Sequence, residues 1–115
     1  MAVDLSIGTI RWRVPLGAAV ITEGRTIPVA GTPNLGGPII TAGGLIFISS
    51  AMDNFLRAFD IDTGKELWKT QLPAGSQATP MTYEENGKQY LVIASGGHGK
   101  LGTTLGDSLL AFTLP

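Results

Sequence analysis

The 115-residue chain has no cysteine, one histidine and few charges, with 15% charged residues and a formal net charge of -1. Without Cys there is no disulfide framework, no thiolate metal centre and no Cys nucleophile, although compartment stays open because many periplasmic and cytosolic chains alike lack it. The weak charge leaves no basic stripe of the kind that binds phosphate backbones, so nucleic acid is not expected as a partner. An anionic membrane surface is equally poorly served. No stretch approaches ~18 consecutive apolar residues, and Asp4, Arg11 and Arg13 interrupt the N-terminal segment, so neither a membrane span nor a signal peptide is expected. Sixteen Gly and seven Pro punctuate every window, and no amphipathic run of helical period survives them. The glycines give no Gly-x-Gly-x-x-Gly entering a helix and no Walker lysine, which removes nucleotide binding.

What is present is a repeat. "AVDLSIGTIRW" (2–12) and "AFDIDTGKELW" (58–68) share Ala2/Ala58, Asp4/Asp60, Gly8/Gly64 and Trp12/Trp68 at a constant offset of 56, and they contain both tryptophans of the chain. A basic residue follows each (Arg13/Lys69), and a leucine stands four past each tryptophan (Leu16/Leu72). A third, truncated copy is "LLAFTL" (109–114), which matches "LRAFDI" (56–61) at an offset of 53. Repeats of ~40–50 residues built from short strands point to propeller blades or an array of units.

The strands within one period are legible. "LIFISS" (45–50) is nearly all apolar, as a strand covered on both faces should be. A strand and a Gly-rich turn precede it from Pro38, "FLRAFDI" (55–61) follows, "DTGK" (62–65) is a turn with Gly64 available for positive φ, and "ELWKTQL" (66–72) closes the unit before Pro73. The next period repeats the order with "TPMTY" (79–83), "QYLVIAS" (89–95) and "SLLAFTL" (108–114). The expected fold is all-β, with four short antiparallel strands per unit in the propeller pattern. Asp and Gly make the turn between the third and fourth strands, Ala permits close packing, and each tryptophan should dock its face on the adjacent blade and find a partner there for its N–H.

The repeat resembles the eleven-residue tryptophan-docking motif of the quinoprotein dehydrogenases, eight-bladed propellers that carry pyrroloquinoline quinone (PQQ). "AFDIDTGKELW" matches it fully; "AVDLSIGTIRW" departs at Ile7, where Thr or Ser usually helps the turn. The run from Pro33 to Pro115, which contains "PNLGGPIITAGGLIFISSAMDNFLRAFDIDTGKELW", resembles the C-terminal end of the membrane-bound glucose dehydrogenases of that family. The resemblance implies a propeller fragment: the last two strands of one blade (1–17), a complete blade (38–73) and an incomplete closing blade (79–115) whose fourth strand the family takes from the far N-terminal part of the propeller. It also implies a periplasmic parent anchored in the inner membrane, which oxidises an aldose with PQQ and a Ca or Mg ion and passes electrons to ubiquinone. The family's catalytic aspartate and most of its metal ligands lie on blades outside this chain, so the chain alone is expected to be inactive. Its open strand edges should pair with the missing blades, or with one another by self-association. Rival readings are another PQQ-dependent alcohol, polyol or quinate dehydrogenase, and a non-catalytic propeller scaffold of the cell envelope.

Candidate chemistry falls on one rim. In a meander, the connection entering a blade and the connection between its second and third strands emerge at the same end, which places "TPNLGG" (32–37) and "SGGHGKLGTTLGD" (95–107) together. Asn34 offers an amide, Leu35 an apolar contact, and Gly36 and Gly37 allow backbone to approach a planar ring. In the resembled family Asn-Leu at this place lies beside the quinone, which implies Asn34 and Leu35 as cofactor contacts; an ordinary turn is the plainer alternative. His98, set among glycines, could face the cofactor or be a solvated loop residue, and alone it builds no metal site. Asp53 and Asn54 read as a plain turn on the same rim, Asp60 and Asp62 as parts of the docking turn. Glu84 and Glu85 lie in a hairpin at the opposite end, where they make no acid and base pair.

Overall fold

The computed structural model describes residues 1–19 and 29–113. It contains eleven strands and one short 3₁₀ turn at Gly99–Leu101, with no α-helix among the described residues. Two strands, β1 (Ala2–Asp4) and β2 (Thr9–Trp12), form an antiparallel hairpin. A second pair, β3 (Ala18–Ala19) with β4 (Val29–Ala30), has no counterpart in the sequence reading. Four strands make one meander in the order β5 (Ile39–Ile40), β6 (Leu45–Ile48), β7 (Phe55–Asp60), β8 (Glu66–Gln71). The remaining three, β9 (Met81–Glu85), β10 (Lys88–Ser95) and β11 (Ser108–Thr113), form a sheet with β10 in the middle. Along β11, only the edge facing β10 is paired among the described residues.

The apolar run of β6 is explained by cover on both sides. Alternate residues of a strand face opposite ways. Phe47 joins Leu56, Ala58 and Leu72 against Leu91 and Ile93 of the three-stranded sheet, and this is the main core. Ile46 and Ile48 face the other way and, with Ile40, Phe59 and Ile61, wall a groove of ≈ 580 Å³ whose far side is Ala2, Val3, Trp12 and Val14.

The repeated motif builds the same turn twice. Asp60 Oδ1 accepts from the backbone N–H of Asp62 (2.8 Å) and Thr63 (2.9 Å), and Asp4 Oδ1 accepts from the N–H of Ser6 (3.0 Å). Gly64 N–H donates to Asp60 O (2.9 Å) and Gly8 N–H to Asp4 O (2.7 Å), with both glycines at positive φ, +72° and +67°. Each alanine sits directly across from its tryptophan, Ala2 opposite Trp12 and Ala58 opposite Trp68, so the small residue leaves room beneath the indole. Both copies also skip a residue just before the tryptophan: Val3 pairs with Ile10 and Phe59 with Glu66, leaving Arg11 and Leu67 as the extra residues of a β-bulge.

Trp12 reaches the second copy. Its Nε1–H donates to Ile61 O (2.8 Å), and its ring covers Gly64 so closely that a Cβ there would lie 2.5 Å from Cε3. Trp68 differs: it is 41% exposed and makes an edge-on contact with Phe112, ring centroids 6.0 Å apart. The surface that reaches Trp68 is the edge of the Phe112 ring on β11 rather than a turn glycine.

The Asp60 turn carries a pH signature. Hydrogen bonds from the N–H of Thr63 and Asp62 hold the Asp60 carboxyl below its ordinary value of 3.8. A depressed folded-state value means a contribution present above the unfolded pKa and lost as pH falls through the folded one. Asp60→Asn is therefore expected to lower the urea midpoint at pH 6 and to leave a smaller difference between wild type and variant at pH 3. A wild-type-to-variant gap of equal size at both pH values would contradict the carboxylate's role.

Candidate functional site

The connections at one end of the sheets are stitched into a continuous hydrogen-bonded rim. Leu35 N–H donates to Gln77 Oε1 (2.9 Å), Gln77 Nε2 donates to Ala51 O (3.2 Å), and Met52 N–H donates to Thr32 Oγ1 (2.9 Å). Gly37 N–H donates to Thr79 Oγ1 (3.1 Å). On the other side of the same strip, Gly97 N–H donates to Gly75 O (2.7 Å) and Gly75 N–H to Thr104 O (2.9 Å). The segments carrying Asn34, Leu35 and His98 are thus joined through residues 74–77.

Asn34 is exposed and Leu35 is 65% exposed, so both side chains are available above a backbone that is fixed below. Gly36 is small for a different reason from close approach by a ring. Its missing side chain leaves room for the Gln77 carbonyl and the Ser50 hydroxyl, with Gln77 C 2.8 Å from where a Cβ would be. The tight contact is protein on protein, and it locks the loop that presents Asn34 and Leu35.

His98 begins the 3₁₀ turn, and its N–H donates to Thr103 Oγ1 (2.7 Å). Gly97 adopts φ +74° against the Thr104 carbonyl, which seats the histidine at a fixed place in the loop. His98 Nδ1 is buried without a hydrogen-bond partner among the described residues, as is Ser50 Oγ. A buried polar atom with no partner is costly, of order 1–3 kcal/mol, and calls for a ligand or an ordered water. An exposed amide, an exposed apolar side chain and an orphaned imidazole nitrogen on one rim fit contact with a planar, polar quinone. Among the described residues no group of three or more His, Cys, Asp or Glu side chains could hold a metal ion.

Asp53 and Asn54 do more than shape a turn. The Asp53 carboxylate takes a two-pronged contact from Arg57, Nη1 to Oδ1 at 2.8 Å and Nη2 to Oδ2 at 2.6 Å. Arg57 Nε also donates to Glu66 Oε2 (3.2 Å), and the guanidinium lies 5.4 Å from the centre of the Phe55 ring. Burial alone would disfavour the charge of Arg57, but the hydrogen bonds and charge of Asp53, with those of Glu66, outweigh it and raise the guanidinium above its ordinary value. Asn54 Nδ2 donates to Thr104 Oγ1 (3.2 Å). Sequence reasoning missed Gln77, Thr79 and Thr103, because single polar residues in loops carry no periodic signal, and it missed Arg57, whose place as a lone arginine within β7 was the one available clue.

Residues 1–91 match the family described as "PQQ: Glucose/ethanol/alcohol dehydrogenase, beta-propeller domain". The chain is 48% identical over 121 residues to the quinoprotein glucose dehydrogenase of Escherichia coli strain K12, a match covering 99% of this chain and 15% of that protein. It is 60% identical over 85 residues to quinoprotein glucose dehydrogenase A of Acinetobacter calcoaceticus, covering 74% of this chain and 11% of that protein. Among solved structures, the quinohemoprotein alcohol dehydrogenase of Comamonas testosteroni superposes with a TM-score of 0.58 at 26% identity, over 76% of this chain and 13% of that one. The chain therefore spans about a seventh of the curated relatives it matches. Its antiparallel all-β sheets, the repeated turn and these matches together make it a member of the PQQ-dependent dehydrogenase β-propeller family.

Proposed function

We propose that residues 1–115 are the C-terminal part of a quinoprotein glucose dehydrogenase, and that the whole protein oxidises D-glucose at C1 to the lactone and delivers electrons to ubiquinone. The carrying observation is the rim that presents Asn34 and Leu35 above the Gln77 and Thr79 hydrogen bonds, in a chain 48% identical to a quinoprotein glucose dehydrogenase over nearly its full length. PQQ, when bound, supplies the two-electron acceptor chemistry. The residues of this chain orient it: Leu35 by apolar contact, Asn34 through its amide, His98 through the imidazole nitrogen that has no partner among the described residues. The catalytic base and the Ca or Mg ligands belong to other blades on this reading, so the isolated 115 residues do not turn over.

The four-stranded sheet is one complete blade, the β1–β2 hairpin is the outer half of the preceding blade, and the three-stranded sheet is a closing blade that lacks its outer strand. The apolar groove beside β1 supports this, because its walls of Ile40, Ile46, Ile48 and Phe59 suit the inner strands of that preceding blade. The Trp12 contact on Gly64 is then the docking contact that recurs around the ring. The same reading places the protein in the periplasm, held at the inner membrane by parts outside these residues; no helix of the described residues is long and apolar enough to cross a membrane.

A second reading, another alcohol, polyol or quinate dehydrogenase, is supported by the breadth of the family description and by the superposition on an alcohol dehydrogenase. Reconstituting the full-length protein with PQQ and Ca²⁺ or Mg²⁺ and following dye reduction separates the two. Reduction with D-glucose well above that with quinate, glycerol or ethanol is expected; a preference for one of those three overturns the sugar assignment, and failure to bind PQQ at all would favour an envelope scaffold.

A further inference from the structure

Arg57 lies behind the rim rather than on it. It is 6% exposed, in the middle of β7, and its fork closes on Asp53, which belongs to the β6–β7 connection. That connection is not a relaxed one. Ser50 has φ +28°, a conformation that costs a residue with a side chain free energy, and Ala51 N–H turns back onto Ser49 O. Such a loop keeps its shape only if something outside it holds it. The paired guanidinium and carboxylate, largely removed from water and planar to planar, make a strong hold there.

The same loop is where the candidate contacts converge. Ala51 O receives Gln77 Nε2, whose amide oxygen receives Leu35 N–H. Met52 N–H reaches Thr32 Oγ1, two residues before Asn34. Asn54 Nδ2 reaches Thr104 Oγ1, next to the Thr103 that fixes His98. Gly17 presses its Cα against the loop as well, since a Cβ there would collide with Ala51 and stand 3.3 Å from Asp53 Oδ2. A displacement of Asp53 is therefore two hydrogen bonds away from Leu35 and two from His98.

We infer that Arg57 is a positioning residue for the quinone: by clamping Asp53 it fixes the 49–54 connection, and through Gln77 and Thr104 it sets the places of Leu35 and His98. This rests on the quinone-binding reading given above. Glu66 serves as the internal control, because it meets Arg57 through Nε on the side away from the loop and is itself solvent-accessible.

The test uses the full-length protein and two readouts, PQQ half-saturation by fluorescence titration and the melting temperature of the apo form. Arg57→Lys keeps the charge but loses the fork, and is expected to raise the half-saturation concentration about tenfold, the lower end of what loosening a supporting shell costs. Dye-reduction kcat at saturating PQQ should stay within about twofold, since the reacting groups are untouched. Glu66→Gln is expected to leave the titration unchanged. If Arg57→Lys proves too unstable to purify, Arg57→Gln is measured in its place, with the same shift expected. A fallen melting temperature with an unchanged PQQ titration would make Arg57 structural only and overturn the inference, as would equal shifts from Arg57→Lys and Glu66→Gln. Absence of PQQ binding by the unaltered protein would overturn the quinone reading itself, and this inference with it.

Discussion

Gly64→Ala is expected to destabilise the fold by about 3–5 kcal/mol, whereas the same change at Gly8 should cost only about 1–2 kcal/mol. The two glycines occupy equivalent places in the repeat and share the left-handed backbone, so each substitution pays the same conformational penalty. They differ in what lies above them. A Cβ at Gly8 meets nothing within 4 Å, while one at Gly64 lies 2.5 Å from Trp12 Cε3 and 2.6 Å from Cδ2. The indole would have to lift off, uncovering its face and breaking the 2.8 Å hydrogen bond to Ile61 O. Urea unfolding checks this: at a slope near 2 kcal/mol per M the Gly64 variant loses roughly 2 M of midpoint, and the Gly8 variant about 0.5–1 M. Equal midpoints for the two variants would mean that the tryptophan contributes nothing to the joint between repeats. Trp12→Phe gives a graded companion, keeping ring area while removing the donor.

The second large effect is expected at Phe47. It is 2% exposed and belongs to the core cluster between the four- and three-stranded sheets, with Leu56, Ala58, Leu91 and Ile93. Phe47→Ala should lose about 3–5 kcal/mol, made of the lost transfer of the ring and the cavity left behind. Leu109, of similar apolarity but 74% exposed on the outer face of the three-stranded sheet, should tolerate Ser within about 0.5 kcal/mol. Comparable losses at the two positions would show that the outer face of that sheet is covered, as a neighbouring blade outside these residues would cover it. The Phe47 change should also reach the rim, because Leu35–Gln77 and Gly37–Thr79 bridge the same two sheets and depend on their spacing.

Much of this architecture was legible in the residues because it rests on local chemistry. An Asp that gathers N–H groups, a Gly with positive φ four residues on and a Trp four further on can be read as a turn without knowing what surrounds it. The apolar run of β6 likewise announces cover on both faces before either cover is seen. The β3–β4 pairing was not legible, since two residues on each side carry no pattern. Nor was the shared bulge at Arg11 and Leu67, which depends on how the opposing strand is aligned.

The candidate site divides in the same way. Position on a common end follows from strand direction alone, which placed the segments carrying Asn34, Leu35 and His98 on one rim, whereas Asn34 and Leu35 as cofactor contacts are what the family resemblance implies. The groups that hold them were not, because Gln77 and Arg57 act across 42 residues in one case and from beneath the loop in the other. Gly36 shows the limit clearly: sequence marks a place where a side chain is not tolerated, and only packing reveals that the space belongs to Gln77 and Ser50.

By itself the sequence determined the strand count per repeat, the turn chemistry and the absence of α-helix among the described residues, since these depend on residues a few positions apart and on the backbone preferences of Asp, Gly and Pro. Only the tertiary structure decided which tryptophan is docked, what each glycine makes room for and how the rim is braced. Those outcomes are set by the surface that arrives from a different repeat, and the same motif therefore lays Trp12 on the Gly64 turn of the second copy while Trp68 meets the edge of the Phe112 ring.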